Sequence, residues 1–396
     1  MLIGVVGKPN TGKSTFFKAL TLADVEIANY PFATIKPNHG VGFVQVECVD
    51  KEFQVQCNPR EGYCKAGWRF VPVDLLDVAG LVPGAHLGKG MGNQFLDDLN
   101  QADALIHIID VSGSTNEKGE PINPLSYDPA EDIRFLETEL DYWYLRLITK
   151  GWNEFARRVQ QEHSEVHKAL TKHLTSFRVS EALMQESMKR LDLPSMITAW
   201  KDEDLLRLAH ELRVKTKPMI IACNKIDVPG AEKNMQRLVK QFPHYPLIPC
   251  SAESELALKE AARHQLIEYI PGGASFAVTG KLSENQRTAL EFIQGSILDR
   301  QGSAGVQQVL NAAVFELLRY IAVFPGGVGK LQDQEGRFIP DCFLMPQGAT
   351  ALDFAFRIHT DLGKKFIRGI DVRTRRVIGK EYQLRHRDVI EIVTQR

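Results

Sequence analysis

The stretch Gly7-Lys8-Pro9-Asn10-Thr11-Gly12-Lys13-Ser14 restricts the fold more than any other part of the chain. It follows an apolar run over residues 2–6 that has the length of a buried strand. It precedes Thr15-Phe16-Phe17-Lys18-Ala19-Leu20, which reads as the first turns of a helix. Strand, then G-x-x-x-x-G-K-S, then helix is the context that makes this spacing a phosphate-binding loop. Its glycines let the backbone turn tightly and approach an anion closely. The N–H groups of the turn and the helix start then face that anion. The pattern assigns nucleotide contacts to Lys8, Pro9, Asn10, Thr11, Gly12, Lys13, Ser14 and Thr15. Lys13 is expected to reach the β- and γ-phosphates and to act in catalysis, and the Ser14 hydroxyl to ligate Mg²⁺.

Further motifs follow in order. Residues 29–40 (NYPFATIKPNHG) carry two prolines and an Asn-His-Gly, so they read as a loop. A loop between a phosphate-binding helix and the next strand is where nucleotide switches place a threonine for Mg²⁺. Thr34 is the candidate, the alternative being an ordinary loop hydroxyl. Residues 41–49 alternate as a strand, 51–68 read as a hairpin or insertion, and 70–78 read as a second strand. That strand ends in Asp77-Val78-Ala79-Gly80. Asp77 is placed to hold the metal's water shell, and the Gly80 N–H to sense a γ-phosphate. Leu81 stands where a water-orienting Gln is usual, so hydrolysis is either slow or assisted by another group. Residues 82–93 carry four glycines, as a mobile switch would. His86 is the one side chain there able to orient water, though surface-loop histidines are common. Asn10 offers another route, by helping to ligate a monovalent cation such as K⁺ beside the phosphates.

Residues 104–111 (ALIHIIDV) form another apolar strand. The strand 219–223 runs into Asn224-Lys225-Ile226-Asp227. Strand then N-K-x-D is a guanine-recognition pattern. The Asp227 carboxylate would accept from N1–H and the 2-amino group, a pair adenine lacks. Asn224 would tie the base loop to the phosphate loop, and the Lys225 stem would pack on the base. Residues 246–250 make the last strand of this set. It ends in Ser251-Ala252-Glu253, where a backbone N–H can meet the guanine O6.

Between these motifs, residues 128–215 read as mostly helical. Apolar side chains fall at 152, 155, 159, 166, 170, 174 and 177, and Pro194 interrupts the pattern. Fourteen basic and 16 acidic residues leave this region mixed in charge. It reads as helices projecting from the sheet, either a coiled-coil-like hairpin for a partner or a self-packed lid. Helices are expected over 284–299 and 305–323, with Phe324-Pro325-Gly326-Gly327 as a boundary. The tail then alternates short strands at 342–345, 365–372 and 388–394 with one helix near 351–360.

At 396 residues the chain is long enough for two or three domains. It holds 44% hydrophobic and 24% charged residues, as a soluble globular protein does. A net charge of −1 makes any basic face local. The exception is 361–387, where nine Lys and Arg stand against three Asp and Glu. That patch could bind a phosphate backbone, or be a solvated face. No run of ~18 apolar residues offers a membrane span, and the N-terminus enters a strand without a signal peptide. Six scattered cysteines fit the reducing cytoplasm better than a disulfide framework. Cys57 and Cys64 lie close together with Cys48 upstream. The local sequence offers no fourth ligand for a closed metal site, which favours ordinary buried cysteines.

Taken together, GKPNTGKS, NYPFATIKPNHG, DVAGLVPGAHLGKGMGNQFLDDL and NKID resemble the Obg-like GTPases of the YchF type, in an archaeal-like form. The stretch LMPQGATALDFAFRIHTDLGKKF with RHRDVIEIV resembles the TGS domain, a small β-grasp module of RNA-linked GTPases and synthetases. The resemblance covers nearly the whole chain. It implies an α/β P-loop NTPase with a Ras-like, mostly parallel sheet, a helical insertion and a C-terminal TGS-like domain. The expected boundaries are 1–127 and 216–323 for the G domain with its flanking helices, 128–215 for the insertion and 324–396 for the tail. Many members carry Glu in the base motif and use ATP. Asp227 is intact here, which favours GTP and leaves ATP as the alternative. The resemblance also implies a cytoplasmic monomer that cycles between GTP and GDP and is read by a ribosome or structured RNA. An adaptor that binds nucleotide with negligible turnover is the other reading, which Leu81 supports.

Overall fold

The computed structural model describes residues 1–22, 38–78, 99–177 and 179–395. Thr34, Gly80, Leu81 and His86 lie outside the described residues. The chain divides into two compact units, Met1–Ser14 with Leu75–Cys250, and Thr15–Asp74 with Ser251–Arg396.

The first unit is built on parallel strands. β1 (Leu2–Val6), β5 (Ala104–Asp110), β6 (Met219–Asn224) and β7 (Leu247–Pro249) are neighbours in that order. Register pairs Val6 with His107 and Asp110 with Asn224, so the motif-bearing strand ends come out on one edge. Every residue of β5 and β6 is buried. This is why their sequences are continuous apolar runs rather than alternating ones.

Ahead of the strand-end Asp110, His107 is the polar residue within β5. It is 3% exposed, and its Nδ1 has no hydrogen-bond partner among the described residues. Burial, with the nearby Lys8 charge, holds its pKa down at about 3. The unfolded chain therefore takes up this proton first, and stability is lost as pH falls from the ordinary histidine value toward 3. His107→Leu should flatten that acid limb. Relative to the parent it should gain about 2–3 kcal/mol at pH 4.5, measured as denaturant stability at pH 7 and pH 4.5.

The helical region runs as five helices, Ala130–Thr149, Trp152–Gln161, Val166–His173, Glu181–Arg190 and Asp202–Thr216. The periodic apolar positions do face inward: Phe155, Val159, Leu170, Leu174 and Phe177 are buried. A continuous coiled coil does not form, because the chain reverses at left-handed Gly151, His163 and Asp192. The pieces pack on themselves instead. Tyr144 stacks on Phe177 at 4.1 Å, and Trp152 on Trp200 at 5.7 Å. Asp141 joins the first helix to the last by accepting from Arg213 Nε at 2.8 Å, and Tyr144 meets Thr216 at 2.6 Å.

In the second unit, β2 (His39–Glu47) lies beside β4 (Trp68–Asp77), whose last three residues belong to the first unit. β3 (Tyr63–Lys65) forms a hairpin with β4. The remaining helices of this unit include Ala252–Arg263, Glu284–Ile293 and Val306–Ala312. β8 (Ile267–Tyr269) and β9 (Phe276–Val278) pair on their own.

The C-terminal sheet has the order β11 (Phe343–Pro346), β10 (Tyr320–Pro325), β14 (Val389–Thr394), β12 (Phe366–Asp371), β13 (Val377–Ile378). Its central pair, β10 with β14, is parallel, and the others are antiparallel. The helix Ala351–Ile358 buries Phe354 against Ile321, Val323 and Ile390. One sequence expectation fails here. Residues 320–323 were expected to be helical, yet they open β10. The helix ends before Arg319, which is left-handed, and the Tyr-Ile-Ala-Val-Phe run then suits a pleated, buried strand. No helix among the described residues is long and apolar enough to cross a membrane.

Candidate nucleotide site

The phosphate loop leaves β1 at Gly7 and enters the helix Lys13–Thr21. Two glycines are required by contact. A Cβ on Gly7 would meet the Ile108 carbonyl oxygen at 2.6 Å. A Cβ on Gly12 would lie 2.2 Å from Asn224 Nδ2, at a backbone φ of +92°. Thr11, fully buried, closes the turn by donating to the Lys8 carbonyl at 3.0 Å. Pro9, Asn10 and Ser14 are exposed and Thr15 is half-buried. Asn10 is left-handed, and its Nδ2 donates to the Gly119 carbonyl at 2.9 Å.

Lys13 forms an ion pair with Asp77 at the end of β4. Lys8 points the other way. Its ammonium donates to Asp132 at 2.9 Å and to the Thr115 carbonyl at 3.1 Å, and sits over the Tyr127 ring. This leaves the backbone of Lys8 as its part available to a phosphate. Burial pushes the Asp132 carboxyl up to about 6 despite this lysine.

The base motif starts where β6 ends. Asn224, 3% exposed, donates from Nδ2 to the Thr11 carbonyl at 2.8 Å. Lys225 is left-handed, and Val228 N–H returns to its carbonyl at 3.2 Å, making a tight turn. The Ile226 N–H donates to Cys250 O at 3.2 Å. Asp227 is half-buried, and its carboxylate has no side-chain partner among the described residues. Lys225 Nζ donates to Asp110 at 2.9 Å. Asp110 also accepts from Ser112, Ser114 and Thr115. Burial alone would raise its pKa, but these donors hold it below the usual carboxylate range. Sequence reading missed Asp110 as the organiser of this corner. Its signal was an acid at the carboxyl end of a buried strand, followed by Ser and Thr.

Ser251 and Ala252 are buried, and Glu253 is exposed. Ser251 caps the following helix, accepting from Ser254 N–H at 3.3 Å. Its own N–H is committed to the Ala304 carbonyl at 2.9 Å, which removes it from the amides expected to meet a base. Asn224→Ala should leave the buried Thr11 carbonyl without its donor. The expected cost is about 1–3 kcal/mol of stability, read by denaturant unfolding, together with weaker nucleotide binding.

A Gly-rich turn into a helix, a lysine at a strand-end carboxylate and a base-loop Asn bound to the turn define a P-loop GTPase. Such enzymes bind their nucleotide with Mg²⁺. The Ser14 hydroxyl and the Asp77 carboxylate are both hard oxygen donors, which suits that ion. Three family models match the chain. One is described as 50S ribosome-binding GTPase, over residues 2–136. The second is the Obg-like GTPase YGR210-like, G4 motif-containing domain, over 222–327. The third is the TGS domain, over 329–394. An uncharacterised GTP-binding protein of Methanocaldococcus jannaschii is 46% identical over 394 residues, covering 99% of each chain. The ribosome-binding ATPase YchF of Escherichia coli is 29% identical, over 92% of this chain and 86% of its own. The crystal structure of a GTP-binding protein from Pyrococcus horikoshii covers both chains fully at a TM-score of 0.78 and 40% identity. The chain belongs to the Obg-like GTPases of the YchF type, and it carries a C-terminal TGS domain.

Proposed function

We propose that this GTPase is a guanine-nucleotide switch whose state is read by the ribosome. The observation that carries the guanine reading is the Asn224 bond to the Thr11 carbonyl. It fixes the base loop to the phosphate loop and leaves the Asp227 carboxylate to accept from the base. In this reading Lys13 holds the β- and γ-phosphates, with Ser14, Asp77 and Thr34 as the Mg²⁺ ligands. The bound ion would offset charge on those phosphates. Thr34 and Gly80 would sense the γ-phosphate, and hydrolysis would release their loops. Because the Asn10 nitrogen is engaged by Gly119, its oxygen is the atom left to ligate a K⁺ ion, which would supply charge in place of an arginine finger. His86 is the alternative aid to hydrolysis.

The ribosomal partner is supported by the E. coli relative's name and by the basic tail. Of the tail's nine cations, Arg373 and Arg387 are engaged within the chain, by Glu52 and, for Arg387, also Glu47. Lys364, Lys365, Arg368, Arg375 and Arg376 are exposed. They form no ion pair among the described residues, which leaves them for a phosphate backbone. We take the chain to act as a cytoplasmic monomer.

The test has two arms. Nucleotide-free protein with Mg²⁺ should prefer GTP to ATP in competition, and equal binding would move it to the ATP-using members. Co-sedimentation with ribosomes should be stronger with a non-hydrolysable GTP analogue than with GDP, and should weaken steeply with salt. Binding that ignores the nucleotide would remove the switch.

A further inference from the structure

Three cysteines far from the nucleotide site come together in the second unit. Cys48 follows β2, Cys57 lies in the next loop and Cys64 is in β3, a C-x8-C-x6-C spacing. Their sulfurs all lie within 4.8 Å of one another. All three are free thiols, Cys48 and Cys57 buried and Cys64 half-buried. Four thiolates around a tetrahedral zinc, at about 2.3 Å each, would sit about 3.8 Å apart. The cluster thus has the dimensions of three corners of such a site.

Cys342, 278 residues beyond Cys64, is not in that group of three sulfurs, but its segment runs beside the Cys57 loop. Asn58 N–H donates to Phe338 O at 2.9 Å, and Arg60 N–H to Pro340 O at 2.8 Å. This backbone pairing lays the Cys57 loop along 338–340, two residues short of Cys342. The Cys57 thiol itself contacts the Ile339 carbonyl at 3.6 Å.

The surroundings also call for negative charge. Arg69 is 1% exposed and forms no ion pair with a carboxylate among the described residues. Its Nη1 lies 3.1 Å from Cys57 Sγ and 3.1 Å from the Ile339 carbonyl, and Nη2 donates to Pro340 O at 2.9 Å. Glu61 acts on this guanidinium only from a distance, so a thiolate at Cys57 would be the anion in direct contact with it. Zinc with four thiolates carries two negative charges, and Arg69 offsets one of them.

We propose that Cys48, Cys57, Cys64 and Cys342 bind one structural Zn²⁺ that fastens the β3 hairpin to the start of the TGS domain. A closed set of four sulfurs leaves no open position for catalysis, so its role is to hold these two segments together.

The experiment uses the full chain purified without chelator, with metal counted by plasma mass spectrometry. One zinc per chain is expected. Stripped under reducing conditions and titrated with Co²⁺, the protein should show thiolate-to-cobalt charge-transfer absorption and the intense visible bands of a tetrahedral site. Cys57→Ser and Cys342→Ser should each lose the zinc and these bands, while Cys223→Ala, in β6, should keep both. Absence of zinc together with absence of cobalt bands in the reduced parent would overturn the proposal. So would a disulfide joining two of the clustered thiols in freshly purified protein, or a Cys342→Ser chain with full zinc and an unshifted cobalt spectrum. If Cys57→Ser fails to fold, the cobalt titration of the parent still decides.

Discussion

Asp227→Asn is expected to transfer the chain's preference from GTP to XTP. The carboxylate offers two acceptors to the N1–H and 2-amino donors of guanine. The amide presents one acceptor and one donor, which matches the 2-oxo group of xanthine instead. Hydrogen bonds to a charged group contribute about 1.5–3 kcal/mol, so GTP should bind roughly ten- to a hundredfold more weakly. The turn that carries Asp227 is held by its backbone, through Ile226 to Cys250 and Val228 to Lys225. The substitution should therefore leave the melting temperature nearly unchanged. Competition binding to nucleotide-free protein reads the exchange. Unaltered GTP affinity would mean that the base pocket is not set by Asp227, and the ATP assignment would replace the guanine one.

Lys13→Ala should reduce single-turnover GTP hydrolysis by roughly 10²–10³, the usual loss for one preorganised group aimed at developing charge. The phosphates would lose the one side-chain cation placed beside the strand-end carboxylate. Asp77 is partly exposed, so losing its partner should change stability little. Rate and melting temperature together separate a chemical role from a structural one. A parent rate that is itself negligible with K⁺ and with ribosomes would favour the nucleotide-dependent adaptor.

Much of the fold could be read along the chain, because parallel buried strands are continuous apolar runs and the GTPase motifs sit at their ends. The tail's strands were legible for a related reason, their short β-rich runs between turn residues. β10 was not, since Tyr-Ile-Ala-Val-Phe suits a buried helix as well as a buried strand, and only its pairing with β11 and β14 decides between them. The motif singled out Lys13, but nothing in the sequence showed that the Lys8 side chain would turn inward. Their opposite directions depend on Asp132, which lies 124 residues away, and on Asp77. The three clustered cysteines could be read along the chain, but that the segment of Cys342 runs beside them depends on the backbone pairing of 58–60 with 338–340. Asp110 escaped notice because its partners become neighbours only when β5 and β6 align.

The inward-pointing Lys8 has a mechanical consequence. It bolts the phosphate loop to Asp132, in the first turn of the helix Ala130–Thr149. That helix is in turn clamped along its length to Asp202–Thr216 by Asp141, Arg213 and Tyr144. A continuous chain of contacts thus runs from the phosphate loop through the first helix of the bundle to the last. A large partner that twists the bundle would bend the loop's backbone directly, loosening or tightening its hold on nucleotide without reaching into the pocket.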